Sequence, residues 1–204
     1  VSGADHRDQT HRPARSYSLA DLSGDARRRA QENAEAFLDR GVRDGVRDEA
    51  ARALLETLGL STLEPSWDPP GGGAAVEGDL TFADLTASRA ALVSSADPFA
   101  SLWTAQVAML LLSAREAQVP PATVLTLHAS LRHGTYRTVV TADLPPAVTA
   151  AAQAACTQLS HQVLTRVRAA DDKLTDPAVL SDLLTAEGIA FDAAGHVQRL
   201  PRNP

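Results

Sequence analysis

Apolar residues recur at two different periods along this chain, and the switch between them predicts a mixed fold. From Ser23 the spacing is helical, with Ala26, Ala30, Ala34, Phe37 and Leu38 on one face. Ser23 suits an N-cap, and Asp25 puts a negative charge in the first turn, where the helix dipole favours it. Gly41 ends or kinks this helix. A second stripe follows: Val42, Val46, Ala50, Ala53, Leu54 and Leu58, closed by Gly59 as a left-handed C-terminal residue. The expected product is a helical hairpin, or one helix broken near Gly41 and Gly45.

Beyond Leu60 the period drops to two. Val76, Gly78, Leu80 and Phe82 alternate with Glu77, Asp79 and Thr81, as in a half-buried strand. Leu60 to Trp67 is its expected partner, and Pro65 places that partner at a sheet edge or a bulge. The pattern gives no firm element from Asp84 to Ala96. Asp97-Pro98 then reads as the N-cap and first residue of a helix through Ala117. Its apolar residues, Leu102, Trp103, Val107, Met109, Leu110 and Leu111 among them, point almost all round. A buried central helix is therefore expected. Residues 124–142 form the clearest hairpin, with Leu125, Leu127, Ala129 and Leu131 on one face and a turn at Arg132 to Thr135. A long helix follows from Pro146 to about Ala170, on Val148, Ala152, Ala155, Leu159, Val163 and Val167. A short helix capped at Asp176-Pro177 and a terminal hairpin turning at Asp192 to Gly195 complete the chain.

Helices and strands are mixed rather than strictly alternating, so the fold class is α+β with an antiparallel sheet. One domain over residues 17–200 is expected, between a disordered polar tail at 1–16 and a short tail at 201–204. The tail has no apolar core of the kind a secretory signal needs, and the most apolar run, Val107 to Leu112, is far short of the roughly 20 residues that cross a bilayer. A cytoplasmic protein without a membrane segment is the expectation.

Charge and chemistry narrow the picture modestly. The formal net charge is −6, and arginines and acids are interleaved through residues 1–59, which speaks against a nucleic-acid binder. Cys156 is the sole cysteine, so no intrachain disulfide or cysteine-based zinc cluster can form. It lies five residues before His161, about 140° away around a helix, and reads as a small core residue. The Gly71-Gly72-Gly73 run in WDPPGGGAAVEGDL has no following Lys, hydroxyl or helix, so it is no phosphate loop. It reads as a proline-stiffened turn between strands. No H-E-x-x-H or G-x-S-x-G motif occurs. No cofactor, metal or catalytic set is expected, and an enzyme is less expected than a binder.

Several stretches in order resemble a family of small phage and prophage proteins often labelled antitoxins of a toxin–antitoxin stability system. SYSLADLSGDARRRAQENAEAFL resembles the family's opening, SWDPPGGGAAVEGDL its Trp and Gly-rich turn, and LHASLRHGTYRTVV its His/Ser/Tyr-rich strand pair. DDKLTDPAVLSDLLTAEGIAFDAAGHV resembles its close. This chain departs by carrying Pro-Pro-Gly-Gly-Gly where relatives have a polar Gln-Gly-Asp-Gly turn. The resemblance implies a non-enzymatic, intracellular, antitoxin-like protein that binds a basic protein partner such as a toxin. The residues expected to serve binding are Trp67, Gly71, Gly72, Gly73, His128, His133 and Tyr136. The rival expectation is a small-molecule or metal-dependent enzyme with its site between the Gly-rich turn and the His128 hairpin.

Overall fold

A computed structural model describes residues 15–68, 73–93, 95, 97–132 and 135–199, the side chains of Asp39, Arg40 and Arg199 excepted. The expected tails at 1–16 and 201–204 fall almost wholly outside these residues. The fold is α+β, as the periodicities predict. The chain divides into two compact units: Val1–Arg43 with Asp172–Pro204, and Asp44–Asp171.

The first unit holds helix α1 (Gly24–Phe37), helix α6 (Pro177–Ala186) and a small antiparallel pair, β5 (Ile189–Phe191) and β6 (Val197–Arg199). Leu19, Ala30, Ala34, Leu38, Leu180, Leu184 and Phe191 are among its buried residues. Tyr17 extends the pair, since its N–H and C=O both bond Phe191 at 2.9 Å. Gly195 sits at φ +84° in the turn, and a Cβ there would lie 2.2 Å from Ala26 O, so only glycine fits. Between α1 and α2 (Arg43–Thr57) the five residues Leu38–Val42 are π-helical, with Gly41 at φ +102°. The interruption falls at Gly41, where the sequence places the end or kink of the first helix.

The second unit carries the main core. On α2 the buried stripe is Arg47, Ala51, Leu54 and Leu55, with Leu58 buried just beyond its end; Ala53, expected inside, is exposed. A four-stranded sheet follows: β1 (Glu64–Asp68), β2 (Gly73–Thr81), β3 (Val124–Arg132) and β4 (Thr135–Thr141), in that spatial order. β1 is the edge strand that Pro65 predicts. Phe82, read as the end of a strand, instead opens helix α3 (Phe82–Leu92), which occupies most of the segment the periodicity leaves unassigned. Thr81 and Asp84 form a reciprocal cap: Thr81 N–H donates to Asp84 Oδ2 (2.8 Å) and Asp84 N–H to Thr81 Oγ1 (3.1 Å). The bonds from Thr81 hold the Asp84 carboxyl below its ordinary range.

Helix α4 (Pro98–Glu116) starts as expected, with Asp97 accepting from Phe99 N–H at 2.9 Å. It is not buried all round. Trp103, Val107, Leu110 and Ala114 face the core, but Leu102, Met109 and Leu112 are exposed. Helix α5 (Pro146–Leu174) buries every residue of its predicted face. No described helix is long and apolar enough to cross a membrane.

Ser88 ties α3 to α4. It accepts from the Trp103 indole N–H at 3.0 Å and donates to Leu58 O. Trp103 is 1% exposed, so its N–H has no access to water. Replacing Ser88 with Ala should lower stability by about 1–3 kcal/mol, the cost of an orphaned buried donor. Urea unfolding followed by Trp103 emission checks this.

Candidate functional site

The site is set by how β4 meets β2. β3 pairs with β2 from Gly78↔Leu127 to Thr81↔Val124, and with β4 from Thr126↔Thr141 to Arg132↔Thr135. Past Gly78 no further β2–β3 pair forms. Instead β4 comes alongside β2, in a parallel contact of Gly73 with Tyr136. The sheet therefore folds partly over itself, and β2 touches both β3 and β4.

Between these contacts a side chain does the work of a strand. Thr138, 2% exposed, accepts the Val76 N–H on Oγ1 at 2.8 Å. Its hydroxyl donates to Val76 O (3.2 Å) and shares a 2.7 Å hydrogen bond with Ser160 Oγ, in which either hydroxyl can donate; Ser160 Oγ also reaches Cys156 O (2.9 Å). Gln153 serves β4 similarly. Its Nε2 donates to Thr138 O (2.8 Å) and its Oε1 accepts from Val140 N–H (3.1 Å). Helix α5 thus supplies polar groups that a further strand would otherwise provide.

This junction brings three expected site residues together. Gly73, at φ +91°, lies against Tyr136; a Cβ on it would stand 2.7 Å from Tyr136 O. Trp67 pairs with Ala74 one step along β1. Trp67 and Tyr136 line an open cleft of about 420 Å³, with Pro65, Ser66 and Asp44. Tyr136 also borders a smaller hollow of about 160 Å³, walled by Ala74, Thr138, Ser160, His161 and Leu164 among others. His128 is not at the cleft. It pairs with Val139 further along the β3–β4 ladder and is exposed. Gly71, Gly72 and His133 lie outside the described residues.

The cleft is acidic. Arg47, buried on α2, bonds Asp171 through Nε (2.9 Å) and Nη2 (2.7 Å) and Asp44 through Nη1 (2.9 Å). Burial alone would lower the Arg47 pKa, but the bonds to Asp171 and Asp44 outweigh it and leave it raised. A single guanidinium thus faces two carboxylates, and the Asp44 side chain stays 69% exposed. Arg52 repeats the pattern with Glu64 (2.7 Å) and Asp48 (2.8 Å), which raise its pKa in that order. In each cluster one guanidinium is shared between two carboxylates.

The remaining chemical candidates are dispersed. Among the described residues no group of three or more His, Cys, Asp and Glu side chains could hold a metal. Burial pushes the Cys156 thiol up to about 12, so it is protonated at neutral pH and unsuited to nucleophilic attack. His196 is engaged with Asp192 at 3.0 Å. Asp44, Thr138 and Ser160 were not singled out from the sequence. Ser160 did leave a signal, since it interrupts the apolar stripe Cys156–Val163–Val167 at helical spacing.

Two substitutions test the junction. Thr138→Val keeps the shape but strands the Val76 N–H, and should cost about 2 kcal/mol in urea unfolding. Gly73→Ala must move Tyr136 or twist β2 out of its left-handed backbone. It should cost about 1–3 kcal/mol and shift the emission of Trp67 as the cleft changes shape.

Comparison of the chain with protein-family models, with curated proteins and with solved structures found no match in any of the three.

Proposed function

We propose that this is a non-enzymatic, cytoplasmic binding protein, antitoxin-like and phage-related, that holds a basic protein partner such as a toxin. The observation that carries the reading is the cleft between Trp67 and Tyr136 with the Asp44 carboxylate on its wall. Two aromatic rings offer apolar faces to an aliphatic stem and attract a cation by their quadrupoles. Asp44, only partly satisfied by Arg47, supplies the counter-charge. An arginine or lysine side chain of a partner meets both requirements. The formal net charge of −6 favours the same sign of partner.

The two tryptophans make the test direct. Trp103 is buried, so a ligand in the cleft changes the emission of Trp67 alone. Titration with acetyl-Gly-Arg-Gly-amide should give a saturable change at roughly millimolar concentration, as one side chain affords only a few kcal/mol. The citrulline peptide, equal in shape but uncharged, should bind at least about fivefold more weakly, and Asp44→Asn should weaken the arginine peptide about as much. Trp103→Phe should leave the response intact, whereas Trp67→Phe should remove it. Equal responses to the arginine and citrulline peptides, or none that saturates, would overturn the proposal.

A further inference from the structure

Helix α4 has an outer face that its surroundings do not explain. From Pro98 to Ala114 it has seventeen residues and no charge. Its inner face is core, but Leu102 is 52% exposed, Met109 61% and Leu112 49%. With Ala105, also exposed, they form one stripe at spacings of three, four and three. That is the a/d seam of a helix pair rather than scattered surface leucines. Val93, at the end of α3, adds another large exposed apolar side chain just before α4. Residues 1–14 carry no apolar run that could lie along such a seam.

We infer that this face binds the same face of a second copy of the chain, with the two α4 helices antiparallel about a two-fold axis at Val107. The register follows from the side chains. Antiparallel pairing about residue 107 sets Leu102 opposite Leu112 of the other copy and Ala105 opposite Met109. Each large residue then meets a leucine or a small partner, which fills the seam evenly. Parallel pairing would set Ala105 on Ala105 and Met109 on Met109, a gap beside a bulge. The charges agree. In the antiparallel register Glu116, exposed at the helix C-terminus, reaches the N-terminal turn of the other α4, where the dipole favours a carboxylate. In the parallel register Arg115 would face Arg115 and Glu116 would face Glu116.

A helix of 19 residues is about 28 Å long. One pair buries less than the roughly 1,200 Å² of a standard stable interface. The dimer is therefore weak and concentration-dependent, even with Val93 contributing. This surface is independent of the cleft, and its test does not depend on any ligand.

Sedimentation velocity between about 5 and 200 µM reads the association directly. The wild-type mass should rise from 21.5 kDa toward twice that value. Met109→Glu should remain monomeric with unchanged circular dichroism, because the position is exposed. Orientation is read by mild oxidation of single-cysteine variants, since Cys156 is buried and does not interfere. A mixture of Ala105→Cys and Met109→Cys should give severalfold more disulfide-linked dimer than either variant alone. A constant monomer mass, a dimer that survives Met109→Glu, or crosslinking of each variant chiefly to itself would each overturn the inference.

Discussion

The second unit depends on one hydroxyl. Where β3 stops pairing with β2, the Val76 N–H has no β3 strand to bond, although Val76 pairs with Pro65 of β1 on its other side, and such an amide costs about as much as a lost hydrogen bond if left bare. Thr138 fills that role from β4, and its hydroxyl is in turn hydrogen-bonded to Ser160 on α5. Thr138 accepts from β2 and shares a hydroxyl–hydroxyl bond with Ser160 on α5, which also reaches back into its own turn at Cys156. Removing one member leaves a donor or acceptor sealed from water, so β2, β4 and α5 are locked as a set.

That lock positions the cleft. Tyr136 lies two residues from Thr138 on the same face of β4, so fixing one fixes the other. Gly73 then lets the β2 backbone come close enough for Tyr136 to reach the neighbourhood of Trp67. A side chain at residue 73 would meet the Tyr136 carbonyl first. The aromatic pair is a consequence of backbone approach, which in turn requires glycine. The triple-glycine run therefore earns its place through geometry at its last residue, the one of the three that the structure describes.

The fold was legible wherever burial followed a single period. The α5 face, the β3–β4 hairpin and the Asp97 and Asp176 caps all express local rules that tertiary context left alone. Three readings failed for identifiable reasons. The Phe82 parity continued the strand pattern, but the Thr81-x-x-Asp84 box, a start signal present in the sequence, ended it. On α2, Arg47 took a core position because Asp171 and Asp44 satisfy it, and no hydrophobicity pattern anticipates a paired arginine inside. On α4, apolar residues all round implied burial all round, whereas composition cannot tell a core face from one left open. The cleft was half legible: Trp67, Gly73 and Tyr136 stood out, while Asp44 depends on α2 passing beside β1, a long-range fact that no local spacing encodes.

The electrostatics of the cleft depend on stoichiometry more than on any one ion pair. Arg47 and Arg52 are each shared between two carboxylates, so each acid receives only part of one guanidinium's charge. Arg47 is committed by its bidentate bond to Asp171, which holds α2 to α5 within this unit. Its remaining bond to Asp44 is therefore a by-product of a structural role, and it leaves Asp44 only half neutralised. Exposed charges of this kind are screened within about 8 Å at physiological salt, so they set the sign and the approach of a ligand more than its affinity. Affinity at such a cleft has to come from the faces of Trp67 and Tyr136, which salt does not screen. The two contributions rest on different elements, the charge on α2 and the rings on β1 and β4, and they meet because the Thr138 lock and the Arg47 bridge both anchor on α5.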